Sequence, residues 1–180
     1  MRGLVLAGGK SLRYGTDKAL VVYKGISLLK RAILLLKALQ LNPVVVTRPD
    51  AEHSIGCELI YDKLSEKGPL GGIYTAMAVF KDTAFLILPC DMPKLTPKML
   101  LDLLALHKPQ FGVTAYSLKS KIQPFPGIYE PSILEIIQNK LKQDNLSMHD
   151  LMDRVPTKKV IYWKGDQKIF SNINYKKDLK

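Results

Sequence analysis

Residues 4 to 18 read Leu-Val-Leu-Ala-Gly-Gly-Lys-Ser-Leu-Arg-Tyr-Gly-Thr-Asp-Lys, a short apolar strand that runs straight into a glycine-rich loop carrying three cations. Gly8, Gly9 and Gly15 lack a Cβ, so backbone N–H groups in the loop can turn toward an anion at φ values other residues avoid. Lys10, Arg13 and Lys18 add positive charge at the same place. A strand followed by such a loop predicts an α/β domain with a phosphate ligand at the carboxyl end of its first strand. The spacing fits neither the G-x-x-x-x-G-K-[ST] phosphate loop nor the G-x-G-x-x-G dinucleotide loop.

Working outward, β-branched or apolar runs at 3–7, 43–47, 58–61, 84–89, 112–116 and 157–163 alternate with helical patterns. That alternation predicts a mainly parallel sheet covered on both faces. The first helix spans 27–39, with Ser27 as cap and Leu28, Ala32, Leu35, Leu36 and Leu39 on its core face. A second starts near Gly71 and reaches Phe80, and a third has Thr96 as cap and Pro97 at its first position. A fourth covers 131–141, and Ser147 opens a shorter fifth. Pro124, Pro126 and Gly127 mark an irregular region.

The chain has 180 residues, 47% of them hydrophobic, the size of one domain over residues 1–180. Its apolar runs are too short to span a bilayer and its N-terminus lacks a secretory pattern, which predicts a cytoplasmic protein with no membrane partner. Cys57 and Cys90 show no C-x-x-C spacing, so neither a disulfide framework nor a zinc site is expected. The net charge of +11 raises the question of nucleic acid. The lysines form no dense block and no aromatic pair or recognition helix accompanies them, so no nucleic-acid partner is expected; generic solvated lysine is the first reading and attraction of small polyanionic substrates the next. His53, His107 and His149 have no ligand spacing, and Asp150 with Asp153 reads as a solvated helix face.

In a parallel α/β sheet the residues just after strands face the ligand. At 86–93, Leu-Ile-Leu-Pro-Cys-Asp-Met-Pro ends an apolar run in an acid between two prolines. Asp91 suits a Mg2+ ion shared with substrate phosphates, since magnesium takes one or two carboxylates plus phosphate oxygens; the bland reading is a turn aspartate. At 62–73, Gly68, Gly71 and Gly72 precede a helix, where small residues allow backbone to meet a base or an anion. The chain closes with Phe170-Ser171-Asn172-Ile173-Asn174-Tyr175, whose two asparagines can share one side of an extended segment.

These stretches resemble, in family order, the L-A-G-G-x-S-x-R-x-G-x-D-K, G-P-L-A-G-I, P-C-D-x-P and F-x-N-x-N motifs of the molybdenum cofactor guanylyltransferases, the MobA-like nucleotidyltransferases. The likeness runs from Leu4 to Leu179. It implies a Rossmann-like three-layer α/β/α nucleotidyltransferase fold and transfer of GMP from GTP to the terminal phosphate of a molybdopterin-type pterin cofactor. Pyrophosphate would be released and Mg2+ used. Arg13, Lys18 and Asp91 would be catalytic, with Asp91 on the metal. Leu6, Ala7, Gly8, Gly9, Lys18, Asp62, Gly68, Pro69, Leu70 and Asp91 would bind the nucleotide, and Asn172 and Asn174 would lie on the pterin or phosphate side. Molybdoenzymes or other cofactor-biosynthesis proteins are the implied partners. Gly71 replaces the family's alanine, Thr47 stands where asparagine is frequent, and Tyr175 replaces a threonine. Cytidylyl transfer, a sugar-phosphate substrate, a non-catalytic GTP-binding adaptor and a basic RNA-binding module are the rival readings.

Overall fold

The computed structural model describes residues 1–8, 17–49, 56–64, 66–175 and 178. In chain order it runs β1 (Arg2–Leu6), β2 (Val22–Tyr23), β3 (Ile26–Ser27), α1 (Leu28–Ala38), β4 (Pro43–Thr47), β5 (Glu58–Tyr61), α2 (Gly68–Val79) and β6 (Phe85–Pro89). It continues with α3 (Pro97–Leu106), β7 (Val113–Leu118), β8 (Lys121–Tyr129), α4 (Leu134–Lys142), α5 (Met148–Arg154) and β9 (Lys158–Tyr162). Single 3-10 turns sit at Lys18–Leu20, Pro131–Ile133 and Gln167–Phe170.

Seven strands form one sheet in the order β5-β4-β1-β6-β8-β7-β9. Only β8 runs against its neighbours β6 and β7; the other pairings are parallel. Both faces are covered, as the two alternating sets of core residues require. Val5, Val45, Leu86 and Leu88 meet Leu29, Ile33 and Leu36 of α1 and Leu100 and Leu103 of α3. Leu4, Val44, Val46 and Ile87 meet Ile73 and Met77 of α2, Ile137 of α4 and Leu151 of α5. Each such aliphatic side chain contributes about 1.5–3 kcal/mol when wholly buried. No helix among the described residues is long and apolar enough to cross a membrane.

The caps read from sequence are in place. Ser27 Oγ accepts from the Lys30 amide and Thr96 Oγ1 from the Met99 amide. Three features depart from expectation. The irregular region around Pro124, Pro126 and Gly127 is not a break between elements but an irregularity within β8. Its pairing with β7 jumps from Tyr116 opposite Gln123 to Ala115 opposite Gly127, so the prolines fall in a bulge where no ladder N–H is needed. Helix α2 begins at Gly68 rather than near Gly71, with Pro69 in its first turn. A small hairpin, β2 to β3, turns through Lys24 and Gly25, both at positive φ, which is the geometry of a two-residue turn.

The Asp150 face is not simply solvated. The Asp150 Oδ2 atom accepts from the fully buried Lys140 ammonium, from Asn145 Nδ2 at 3.0 Å and from Arg154 Nε at 2.7 Å. Hydrogen bonding from Lys140, with a further contribution from Arg154, holds the Asp150 carboxyl below its ordinary range. Asp153 and His149 are exposed. His107 joins a polar cluster at the pole opposite the strand carboxyl ends, 2.8 Å from Thr114 Oγ1 and 2.7 Å from Glu130 Oε1.

Candidate active site

The parallel register fixes the rim of the sheet. Leu6 pairs with Pro89 and Val46, and Thr47 pairs with Tyr61. The residues just beyond these ends therefore line up along the carboxyl edge in sheet order: Asp62 after β5, Thr47 and Arg48 at β4, Ala7 and Gly8 after β1, Cys90 and Asp91 after β6. The amide of Ala7 donates to Val46 O and that of Cys90 to Leu6 O, which continues the ladder past the strands.

Lys18 and Asp91 meet here. The Lys18 ammonium donates to Asp91 Oδ2 at 2.8 Å and to Asn174 Oδ1 at 2.9 Å. Asp17, which precedes Lys18, caps the 3-10 turn by accepting from the Ala19 amide, and so directs Lys18 to the crevice. The chain's closing segment is tied to the same spot, because the Ile173 amide donates to the Asp91 carbonyl at 2.9 Å. Ile173 itself is buried beside Tyr23 and Leu28, which leaves the flanking Asn172 and Asn174 on the outside. Asp178 Oδ2 accepts from the Asn174 and Tyr175 amides and fixes the turn that presents Asn174.

The second carboxylate oxygen, Asp91 Oδ1, is buried and has no hydrogen-bond partner among the described residues. A hard anionic oxygen left without a donor fits a divalent cation such as Mg2+, which takes oxygen ligands. Cys90 next door is no nucleophile: burial, and then the Asp91 charge, pushes its thiol up to about 12.

At the other end of the rim, Asp62 is 6% exposed and its Oδ1 accepts from the Leu64 amide and the Thr75 hydroxyl, each at 2.9 Å. Its own amide donates to Thr47 O at 2.7 Å. Thr47 is wholly buried and its hydroxyl has no partner among the described residues. Gly68, at φ +58, and Pro69 are exposed at the start of α2, whose first turn has no side-chain cap; Pro69 has no N–H and the Gly71 amide donates to Lys67 O, so the Gly68 and Leu70 amides are the ones that can turn to an anion. Leu70 points into the core and could meet a ligand only through its backbone. Leu6 packs under Gly72, where a Cβ would lie 3.0 Å from Leu6 Cδ2.

The structure thus unites Lys18, Asp91 and Asn174, and sets Leu6, Ala7, Gly8, Asp62, Gly68, Pro69 and Leu70 along the same edge. Gly9 and Arg13, with Lys10 and Gly15 of the same loop and His53, lie outside the described residues. Sequence reasoning missed Thr75, whose place one turn beyond a glycine-rich helix start carries no motif signal.

A profile of the MobA-like NTP transferase domain matches residues 3–158. The chain belongs to this family. It is 32% identical over 175 residues to a probable molybdenum cofactor guanylyltransferase of Flavobacterium johnsoniae, covering 97% of this chain and 92% of that one. A second protein of the same name, from Bacillus cytotoxicus, is 28% identical over 98% of this chain and 92% of its own length. The fold superposes on a molybdopterin-guanine dinucleotide biosynthesis protein A from Archaeoglobus fulgidus with a TM-score of 0.79 at 22% identity, covering 99% and 95% of the two chains. It also superposes on 2-C-methyl-D-erythritol 4-phosphate cytidylyltransferase from Thermus thermophilus, with a TM-score of 0.71 at 12% identity over 98% and 93%. The Rossmann-like α/β arrangement expected from the sequence is therefore the arrangement of known nucleotidyltransferases.

Proposed function

We propose that residues 1–180 act as one nucleotidyltransferase domain that moves GMP from GTP to the terminal phosphate of a molybdopterin-type cofactor and releases pyrophosphate. The observation that carries this reading is the Lys18, Asp91 and Asn174 cluster at the end of β6, three strands away from Asp62 at the end of β5. Three strand spacings of about 4.8 Å each span roughly 14 Å, a separation that an extended nucleoside triphosphate bridges from base to phosphates. Asp62 then serves the base end, because a carboxylate accepts only and guanine offers two adjacent N–H donors on one edge. The amides of Gly8 and, in the first turn of α2, of Gly68 and Leu70 lie between the two ends.

In the reaction a phosphate oxygen of the pterin substrate forms a bond to the α-phosphorus while the bond from that phosphorus to the bridging oxygen of pyrophosphate breaks. The nucleophile arrives with the substrate, so the protein's task is positioning and charge stabilisation. Lys18 leaves its ligand-free partners for the phosphates and offsets negative charge there; Arg13, by its place in the loop motif, does the same. Asn174 orients the phosphate side. Asp91 would hold Mg2+, which when bound neutralises phosphate charge. The reaction belongs in the cytoplasm, and its product would pass to molybdoenzymes or other cofactor-biosynthesis proteins.

Thermal shift with each of the four nucleoside triphosphates, with and without magnesium, tests this. A ligand at 100 times its dissociation constant adds about 2.7 kcal/mol of stability, so a GTP-selective rise is expected. Equal responses to all four would overturn the guanine assignment, and a CTP-selective response would favour the cytidylyl alternative. GTP binding without pyrophosphate release in the presence of the pterin substrate would make the chain an adaptor.

A further inference from the structure

Asp62 Oδ1 is consumed by the framework, held by the Leu64 amide and the Thr75 hydroxyl at 2.9 Å each. Among the described residues none donates to Oδ2. Thr75 is 2% exposed and sits on α2, so its hydroxyl is a desolvated donor on a rigid support. The loop that carries the other donor is packed flush on the same helix: a Cβ at Gly71 would lie 2.6 Å from Leu64 O and 3.0 Å from Lys67 Cβ. An alanine cannot fit there unless the loop lifts. The third tie, Asp62 N to Thr47 O at 2.7 Å, fixes the main chain beneath the carboxylate.

We infer that Thr75 is a positioning residue for the base subsite, setting the rotamer of Asp62 so that Oδ2 alone meets the N–H donors of an incoming base, with Gly71 allowing the loop to supply the second tie. The inference rests on the GTP reading above. Thr75→Val keeps the side-chain shape and removes the donor, whereas Thr75→Ser keeps the donor. Removing one hydrogen bond to a charged group weakens GTP binding and raises its KM about tenfold, with kcat at saturating GTP within about twofold of wild type. Thr75→Ser restores GTP affinity to within about threefold. Affinity for inorganic triphosphate with magnesium, which engages only the phosphate end, is expected to stay unchanged in both. If Thr75→Val binds GTP as the wild type does, or loses GTP and triphosphate in parallel, the positioning role is overturned. Should Thr75→Val fail to fold, Thr75→Ala, which removes the same donor without adding bulk at this buried position, provides the second test; wild-type GTP affinity in folded Thr75→Ala overturns the proposal equally. A wild-type protein with no preference for GTP refutes the guanine reading itself, whereas a preference that survives Thr75→Val intact refutes only the role of Thr75.

Discussion

Alanine at position 91 should separate stability from activity, and alanine at position 18 should not do so as cleanly. The Lys18 to Asp91 bond is a charge-assisted contact between side chains only 18% and 19% exposed, so its gross contribution is about 1.5–3 kcal/mol. Asp91→Ala forfeits that bond, but the ammonium keeps Asn174 as an acceptor and Asp91 Oδ1, which has no partner among the described residues, disappears. The two effects offset, leaving a net cost of about 1 kcal/mol, or a Tm lowered by about 2–4 °C for a chain of this size. Lys18→Ala leaves the carboxylate with neither oxygen satisfied by the contacts above, and stranding a partly buried charge costs more than removing it. Its Tm should fall about twice as far. Both variants should lose about two to three powers of ten in pyrophosphate release with GTP and the pterin substrate, the range found for a lost transition-state charge contact. Calorimetry beside a coupled pyrophosphate assay reads both quantities. Wild-type turnover by Asp91→Ala would remove Asp91 from the mechanism, and a larger Tm drop for Asp91→Ala than for Lys18→Ala would refute the asymmetry.

Other outcomes follow from particular contacts. Because the Asp150 carboxyl is held below its ordinary range by Lys140, its contribution to stability is present above the usual carboxylate pKa of about 4 and is lost as pH falls through the lower native value. The Tm gap between wild type and Asp150→Asn should therefore be widest near neutrality and shrink below about pH 4. Tyr116 donates its buried hydroxyl to Met99 O at 2.8 Å, so Tyr116→Phe should cost about 1 kcal/mol in denaturant unfolding with turnover retained. With its thiol pushed up to about 12, Cys90 should resist alkylation at pH 8 in the folded protein and react on unfolding, as peptide mass spectrometry would show.

Much of this architecture was legible because local chemistry and tertiary packing agree. Ser27 and Thr96 cap the helices they precede, and the strands of the parallel core carry apolar residues on both faces, as a doubly covered sheet demands. Strand β8 was hidden because two prolines break the usual strand pattern, and only the register jump opposite Ala115 makes them tolerable. The site was legible where a residue directly follows a strand, as Asp62 and Asp91 do. It was opaque where function depends on a long-range side-chain contact: nothing in the spacing of Thr75 announces Asp62, and nothing around Lys140 announces that Asp150 would hold its buried ammonium.

The ammonium of Lys18 reaches an acceptor 156 positions away in Asn174. Closing so long a loop is entropically slow and rewards the chain only after the intervening sheet has formed. During synthesis, a nascent chain can lay down β1, β4 and β6 while one arm of the crevice is still inside the ribosome. Competence to grip a nucleotide thus comes only after the sheet's interior has set, once Asn174 can reach Lys18.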